Sequence, residues 1–115
     1  MEVALTSRPG RECTVIGVQG VLDMTAEPQF RTFLQQVIDT GARRVVVDLT
    51  GVRLMDSSAL GTLVYMFKIL RDDGGTLCIA APQPLVRSVL SITSVDRAIG
   101  VYDTVKAAEV DLSDR

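Results

Sequence analysis

The chain contains no histidine and no tryptophan, and only two cysteines, Cys13 and Cys78. Without histidine there is no Ser-His-Asp or Cys-His nucleophile, no imidazole base, no histidine-ligated metal and no histidine pH switch. Two cysteines cannot close a thiolate zinc site and are too few for a disulfide scaffold. Aromatic residues make up 4% of the chain against 47% apolar residues, which points to an ordered core built of Val, Ile, Leu and Ala. An excess of positive charge is missing too: 12 Lys and Arg face 14 Asp and Glu, a net charge of −2 and a pI near 5.0. That balance excludes the basic footprint of a nucleic-acid binder. No apolar run approaches a bilayer span, and Met1-Glu2-Val3-Ala4-Leu5 has neither a basic n-region nor an apolar h-region. The expectation is a soluble, cytoplasmic protein with no cofactor.

What is present fits one domain over residues 1–115, with 111–115 expected to fray. Val3 and Leu5 suggest a first strand ended by the turn residues Arg8-Pro9-Gly10, and Cys13–Val18 a second, making an antiparallel hairpin. Phe30, Phe33, Leu34, Val37 and Ile38 then fall on one face of a helix. Thr25 stands at its N-cap, Pro28 in its first turn and Gly41 at its C′ position. Arg44-Val45-Val46-Val47-Asp48-Leu49 is a continuous apolar run, the pattern of a parallel strand buried on both faces. A second helix is expected from Ser58 to Asp72, with Leu60, Leu63, Val64, Phe67 and Leu70 toward the core, and Tyr65, Met66 and Lys68 exposed. Gly74-Gly75 ends it. Thr76–Ala80 reads as a strand, a third helix follows Pro84 with Val86, Val89 and Leu90 inward, a short strand lies near Ile99–Tyr102, and a last helix starts near Thr104. The fold class is α/β, a mixed and mostly parallel sheet of 4–5 strands with an N-terminal antiparallel hairpin and about four helices. Strands in sequential order would hold the two cysteines roughly 9–10 Å apart, so both are expected as buried thiols without a disulfide.

Chemistry concentrates in Met55-Asp56-Ser57-Ser58-Ala59-Leu60-Gly61, between the buried strand and the second helix. On local grounds Ser57 or Ser58 is the helix N-cap, and Asp23 caps the first helix or touches a partner. A nucleophile elbow would need glycines on both sides of the serine and a base, and both are absent. Asp48 lacks the acidic neighbours of a magnesium-dependent phosphoaspartate, and Arg43-Arg44 reads as a solvated pair before a strand.

Four stretches carry a resemblance to the anti-sigma factor antagonists, single STAS domains of bacteria. They are Gly20-Val21-Leu22-Asp23 with Thr25-Ala26, Val45–Leu49, Met55–Gly61 and Gly74-Gly75-Thr76-Leu77. Met55–Gly61 is similar to the family's D-S-S/T-G-L-G signature, with Ala59 where the family usually has Gly. The resemblance implies a non-catalytic regulator whose unphosphorylated form binds an anti-sigma factor that is also an ATP-dependent serine kinase, releasing the sigma factor. Phosphorylation of Ser57 would end that binding and a serine phosphatase would reset it. Asp23, Asp56, Ser57, Ser58 and Tyr65 are the implied partner surface of a monomer or weak dimer, with no direct nucleic-acid or membrane contact. Also found among STAS domains is a scaffold or transporter-associated accessory module. The intact phosphoacceptor signature favours the antagonist.

Overall fold

The computed structural model describes residues 3–113. The elements are β1 (Ala4–Gly10), β2 (Cys13–Leu22), α1 (Glu27–Asp39), β3 (Arg44–Met55), α2 (Ser57–Asp72), β4 (Thr76–Ala80), α3 (Pro84–Ile92), β5 (Val101–Tyr102) and α4 (Val105–Ser113), with a 3-10 turn at Val95–Arg97. All five strands lie in chain order in one sheet. β1 is antiparallel to β2, and every later pairing is parallel.

The Val45-Val46-Val47 run is buried on both faces, as its lack of alternation implies. Val45 and Val47 join Ile16, Val18, Leu77 and Ile79 in a large cluster with Phe30 and Leu34 of α1, Leu63 and Met66 of α2, and Val86 and Leu90 of α3. Val46 points the other way, with Val15, Cys78 and Ala80, against Ala108 and Leu112 of α4. Three helices therefore cover one face of the sheet and α4 covers part of the other.

α2 ends as its glycines require. The Gly75 N–H donates to the Leu70 carbonyl at 2.7 Å and the Gly74 N–H to the Arg71 carbonyl at 3.1 Å, a Schellman pair with Gly74 at φ +81. A Cβ on Gly75 would lie 2.1 Å from the Arg43 carbonyl oxygen, so only glycine lets β4 start beside β3.

Several expectations are corrected. Arg8-Pro9-Gly10 does not end β1; the strand runs through it and the turn falls at Arg11-Glu12, with Glu12 at φ 58. β1 is an outer strand, where a proline's missing N–H costs little. β2 extends past Val18 to Leu22, and β3 past Leu49 to Met55. Register shifts at Gly17/Gln19 and Gly20/Val21 let β3 carry extra residues through Thr50–Met55, which breaks the apolar pattern without ending the strand. The buried spine of α2 is Ala59, Leu60, Leu63, Met66 and Leu70, while Val64 and Phe67 are half-buried, because α2 packs on α1 as well as on the sheet. Met66, expected outside, is 1% exposed. The expected frayed tail begins too early: α4 continues to Ser113 and seats Leu112 in the core. Residues 114 and 115 lie outside the described residues. Both cysteines remain thiols, but Cys13 is only half-buried; burial, then Glu109, pushes its thiol pKa up.

Candidate functional site

Two loops leave the C-terminal ends of neighbouring parallel strands, where Leu22 of β2 pairs with Met55 of β3. Each opens with an aspartate that folds back on its own chain. In the β3–α2 loop, Asp56 Oδ1 accepts hydrogen bonds from the Ser58 N–H (3.0 Å), the Ser58 hydroxyl (2.6 Å) and the Ala59 N–H (3.3 Å). In the β2–α1 loop, Asp23 Oδ1 accepts from the Thr25 N–H (3.0 Å), the Thr25 hydroxyl (2.6 Å) and the Ala26 N–H (3.1 Å). Asp-x-Thr-Ala and Asp-x-Ser-Ala thus build the same turn twice, side by side. Asp48 and Thr50 repeat the first two bonds inside β3.

This geometry corrects the expected caps. Asp56, in extended conformation, is the N-cap of α2, and Ser57 and Ser58 are its first two helical residues. Thr25 caps nothing: Ala26 holds the cap position of α1 without a side-chain bond, and the Asp23 carboxylate takes the Ala26 N–H. Aspartate wins because a carboxylate is a stronger acceptor than a hydroxyl for the free N–H groups of a helix start.

The loops are tied to each other. The Asp56 N–H donates to the Leu22 carbonyl at 3.0 Å. One helical turn further on, the Thr62 hydroxyl donates to the Glu27 carboxylate of α1. Both loop aspartates titrate below the ordinary carboxylate range. The leading cause is the Thr25 hydroxyl for Asp23 and the Ser58 hydroxyl for Asp56, with backbone N–H groups adding to each.

The two serines therefore differ. Ser58 is half-buried and its hydroxyl is held by Asp56; Ser57 is exposed, and no hydrogen bond engages its Oγ among the described residues. Beside it stand apolar groups in water: Met24, at the position in its turn that Ser57 holds in the other, is 74% exposed. Leu54 and Tyr65 are exposed as well, Tyr65 two turns along α2 as expected. The structure brings Asp23, Asp56, Ser57 and Ser58 together and sets Tyr65 on the same helix. Sequence reasoning missed Met24, the Thr62–Glu27 tie and the capping role of Asp56. The repeat of Asp-x-Thr-Ala at 23–26 as Asp-x-Ser-Ala at 56–59 was the available signal. Among the described residues no group of three or more His, Cys, Asp or Glu could hold a metal ion, and no helix is long and apolar enough to cross a membrane. A hollow of about 450 Å³ between β1 and α1 is lined by Leu5, Phe33 and Gln36 and takes no residue from either loop.

Comparison with known proteins places these loops in a family context. The STAS domain model matches residues 4–108. A STAS-domain containing protein of Pseudomonas aeruginosa is 39% identical over 94 residues, 82% of this chain and 91% of its own. The crystal structure of an anti-sigma factor antagonist from Mycobacterium paratuberculosis superposes with a TM-score of 0.90 at 22% identity, covering 97% of this chain and 95% of that one. The anti-sigma factor antagonist SpoIIAA matches in its unphosphorylated form with a TM-score of 0.80 at 23% identity over 97% of this chain and 98% of its own. Its phosphorylated form, from Bacillus, gives 0.66 at 25% identity over 85% and 90%.

Proposed function

The chain belongs to the STAS domain family, and from that premise we propose that it is an anti-sigma factor antagonist acting in the cytoplasm. Unphosphorylated, it docks through the Ser57 face on an anti-sigma factor with serine kinase activity, which then lets its sigma factor go. The kinase ends the contact by phosphorylating Ser57, and a serine phosphatase restores it. The protein itself performs no catalysis.

One observation carries this reading: of two adjacent serines, Ser57 alone presents an unengaged hydroxyl to solvent. A kinase must reach the acceptor oxygen, and Ser58 could be reached only by breaking its bond to Asp56. The existence of SpoIIAA in a phosphorylated form supports the chemistry.

The consequence of phosphorylation follows from charge. Phosphate adds about −1.5 to −2 at neutral pH. At a helix start an anion ordinarily gains from free N–H groups. Here the Ser58 and Ala59 N–H groups are already given to Asp56. The new charge is therefore left without those two donors, next in sequence to the Asp56 carboxylate, and a docked partner would have to desolvate it. Such contacts cost several kcal/mol, more than about a hundredfold in affinity. The test is intact-mass and peptide mapping after incubation with the anti-sigma serine kinase and ATP. Phosphate is expected on Ser57, absent in Ser57→Ala and kept in Ser58→Ala. Phosphate mapping to Ser58 would sink the reading.

A further inference from the structure

Gly61 sits inside α2, one turn beyond Ser57, and the fold has no use for a glycine there. Its φ is not positive, and a Cβ built on it would meet nothing within 4 Å. The contrast with Gly75, where a Cβ would strike the Arg43 carbonyl at 2.1 Å, is complete. Glycine is the poorest helix former apart from proline, because it loses the most backbone freedom on folding. Alanine at this position would strengthen the helix and collide with none of the described residues. The benefit of glycine must then come from something outside the chain that needs the space.

Gly61 is exposed and shares the outer side of α2 with Ser57, Tyr65 and Lys68. Between the Ser57 hydroxyl and the Tyr65 ring the helix surface is therefore a notch with bare backbone at its floor. Exposed apolar side chains flank the Ser57 end of this face, Met24 from the neighbouring loop and Leu54 from the end of β3. We infer that Gly61 is a docking determinant: an apolar ridge of the anti-sigma factor seats in this notch at backbone contact distance, and that seating brings the kinase site to Ser57. The occupant is the anti-sigma factor because the notch adjoins the acceptor hydroxyl, and the inference rests on the function proposed above. Any side chain at 61 keeps the ridge out, and a larger one keeps it out further.

The test uses the full chain as wild type, Gly61→Ala, Gly61→Leu and Ser57→Ala. Each is measured for thermal unfolding and for affinity to, and phosphorylation by, a purified anti-sigma factor with serine kinase activity from the same organism. Gly61→Ala is expected to raise Tm by about 4 °C and to lower affinity by about 10-fold. Gly61→Leu is expected to lower affinity by about 100-fold with Tm at or above wild type. A gain in stability joined to a loss of binding is something that a purely structural role for Gly61 would not produce. Wild-type-like affinity and phosphorylation in Gly61→Leu overturn the inference while leaving the Ser57 reading intact. Absence of binding by both wild type and Ser57→Ala overturns the anti-sigma reading, and the Gly61 inference with it.

Discussion

Asp56 and Asp23 each gather three donors on one carboxylate oxygen, so each charge is part of the local fold before it is part of any interface. Their depressed pKa values make that contribution pH-dependent. The unfolded chain holds its aspartate protons up to about pH 3.9, whereas the folded chain releases them lower. In the window between, the unfolded state binds more protons, so stability rises with pH. The contribution is full above the unfolded value and is lost as pH falls through the folded value. Asparagine caps nearly as well but does not titrate. Asp56→Asn should therefore show a shallower fall in urea-derived stability between about pH 5 and pH 2 than wild type; identical slopes would refute the assignment. Ser58→Ala removes one donor from Asp56, with an expected loss of about 0.5–1.5 kcal/mol in urea unfolding. The modified serine should still be Ser57, since its hydroxyl takes no part in the turn.

Elements were legible in the sequence where the pattern was strong. The Val45-Val46-Val47 run, the α1 face from Phe30 to Ile38 and the stop at Gly74-Gly75 all stand in the structure as the pattern implies. What escaped depended on neighbours. Pro9 reads as a stop unless β1 is known to be an outer strand, and Thr50–Met55 reads as loop unless β2 is known to run beside it. Met66 reads as exposed unless α2 is known to pack on α1 as well as on the sheet. At the site, the loop between β3 and α2 could be located from the signature, but the cap could not. Serine and aspartate are both good N-caps, and only the backbone geometry assigns Asp56. Gly75 offers a test at this scale. With the Arg43 carbonyl oxygen 2.1 Å from an added Cβ, Gly75→Ala must push β3 and β4 apart at their first pair, Arg44 with Thr76. We expect a loss of about 2–4 kcal/mol in urea unfolding. An alanine variant within 0.5 kcal/mol of wild type, about the limit for a neutral surface change, would show that the approach is looser than described.

At the scale of the whole molecule the question is how far a charge on Ser57 is felt. The sheet separates two cores, one under α1, α2 and α3 and one under α4. The site stands on the edge of the first. Its two loops are fastened together through Asp56 to Leu22 and Thr62 to Glu27. Neither of these bonds uses the Ser57 hydroxyl, so charging it breaks no internal contact and offers no alternative packing for the chain to adopt. Close-packed cores switch between discrete arrangements or stay where they are. Here nothing supplies a second arrangement, and the change stays at the surface. Ser57→Asp is thus expected to shift backbone amide resonances in residues 22–27 and 55–62 and to leave Ala108 and Leu112, across the sheet in α4, at their wild-type positions. Its Tm should move by less than about 4 °C, the shift of roughly 1 kcal/mol in a domain of this size. Affinity for the anti-sigma kinase should nonetheless fall more than about a hundredfold, because desolvating the charge is a cost met only in the complex. Resonance changes reaching α4, or a loss of binding that tracks unfolding, would mean that the switch works through the fold, contrary to this geometry.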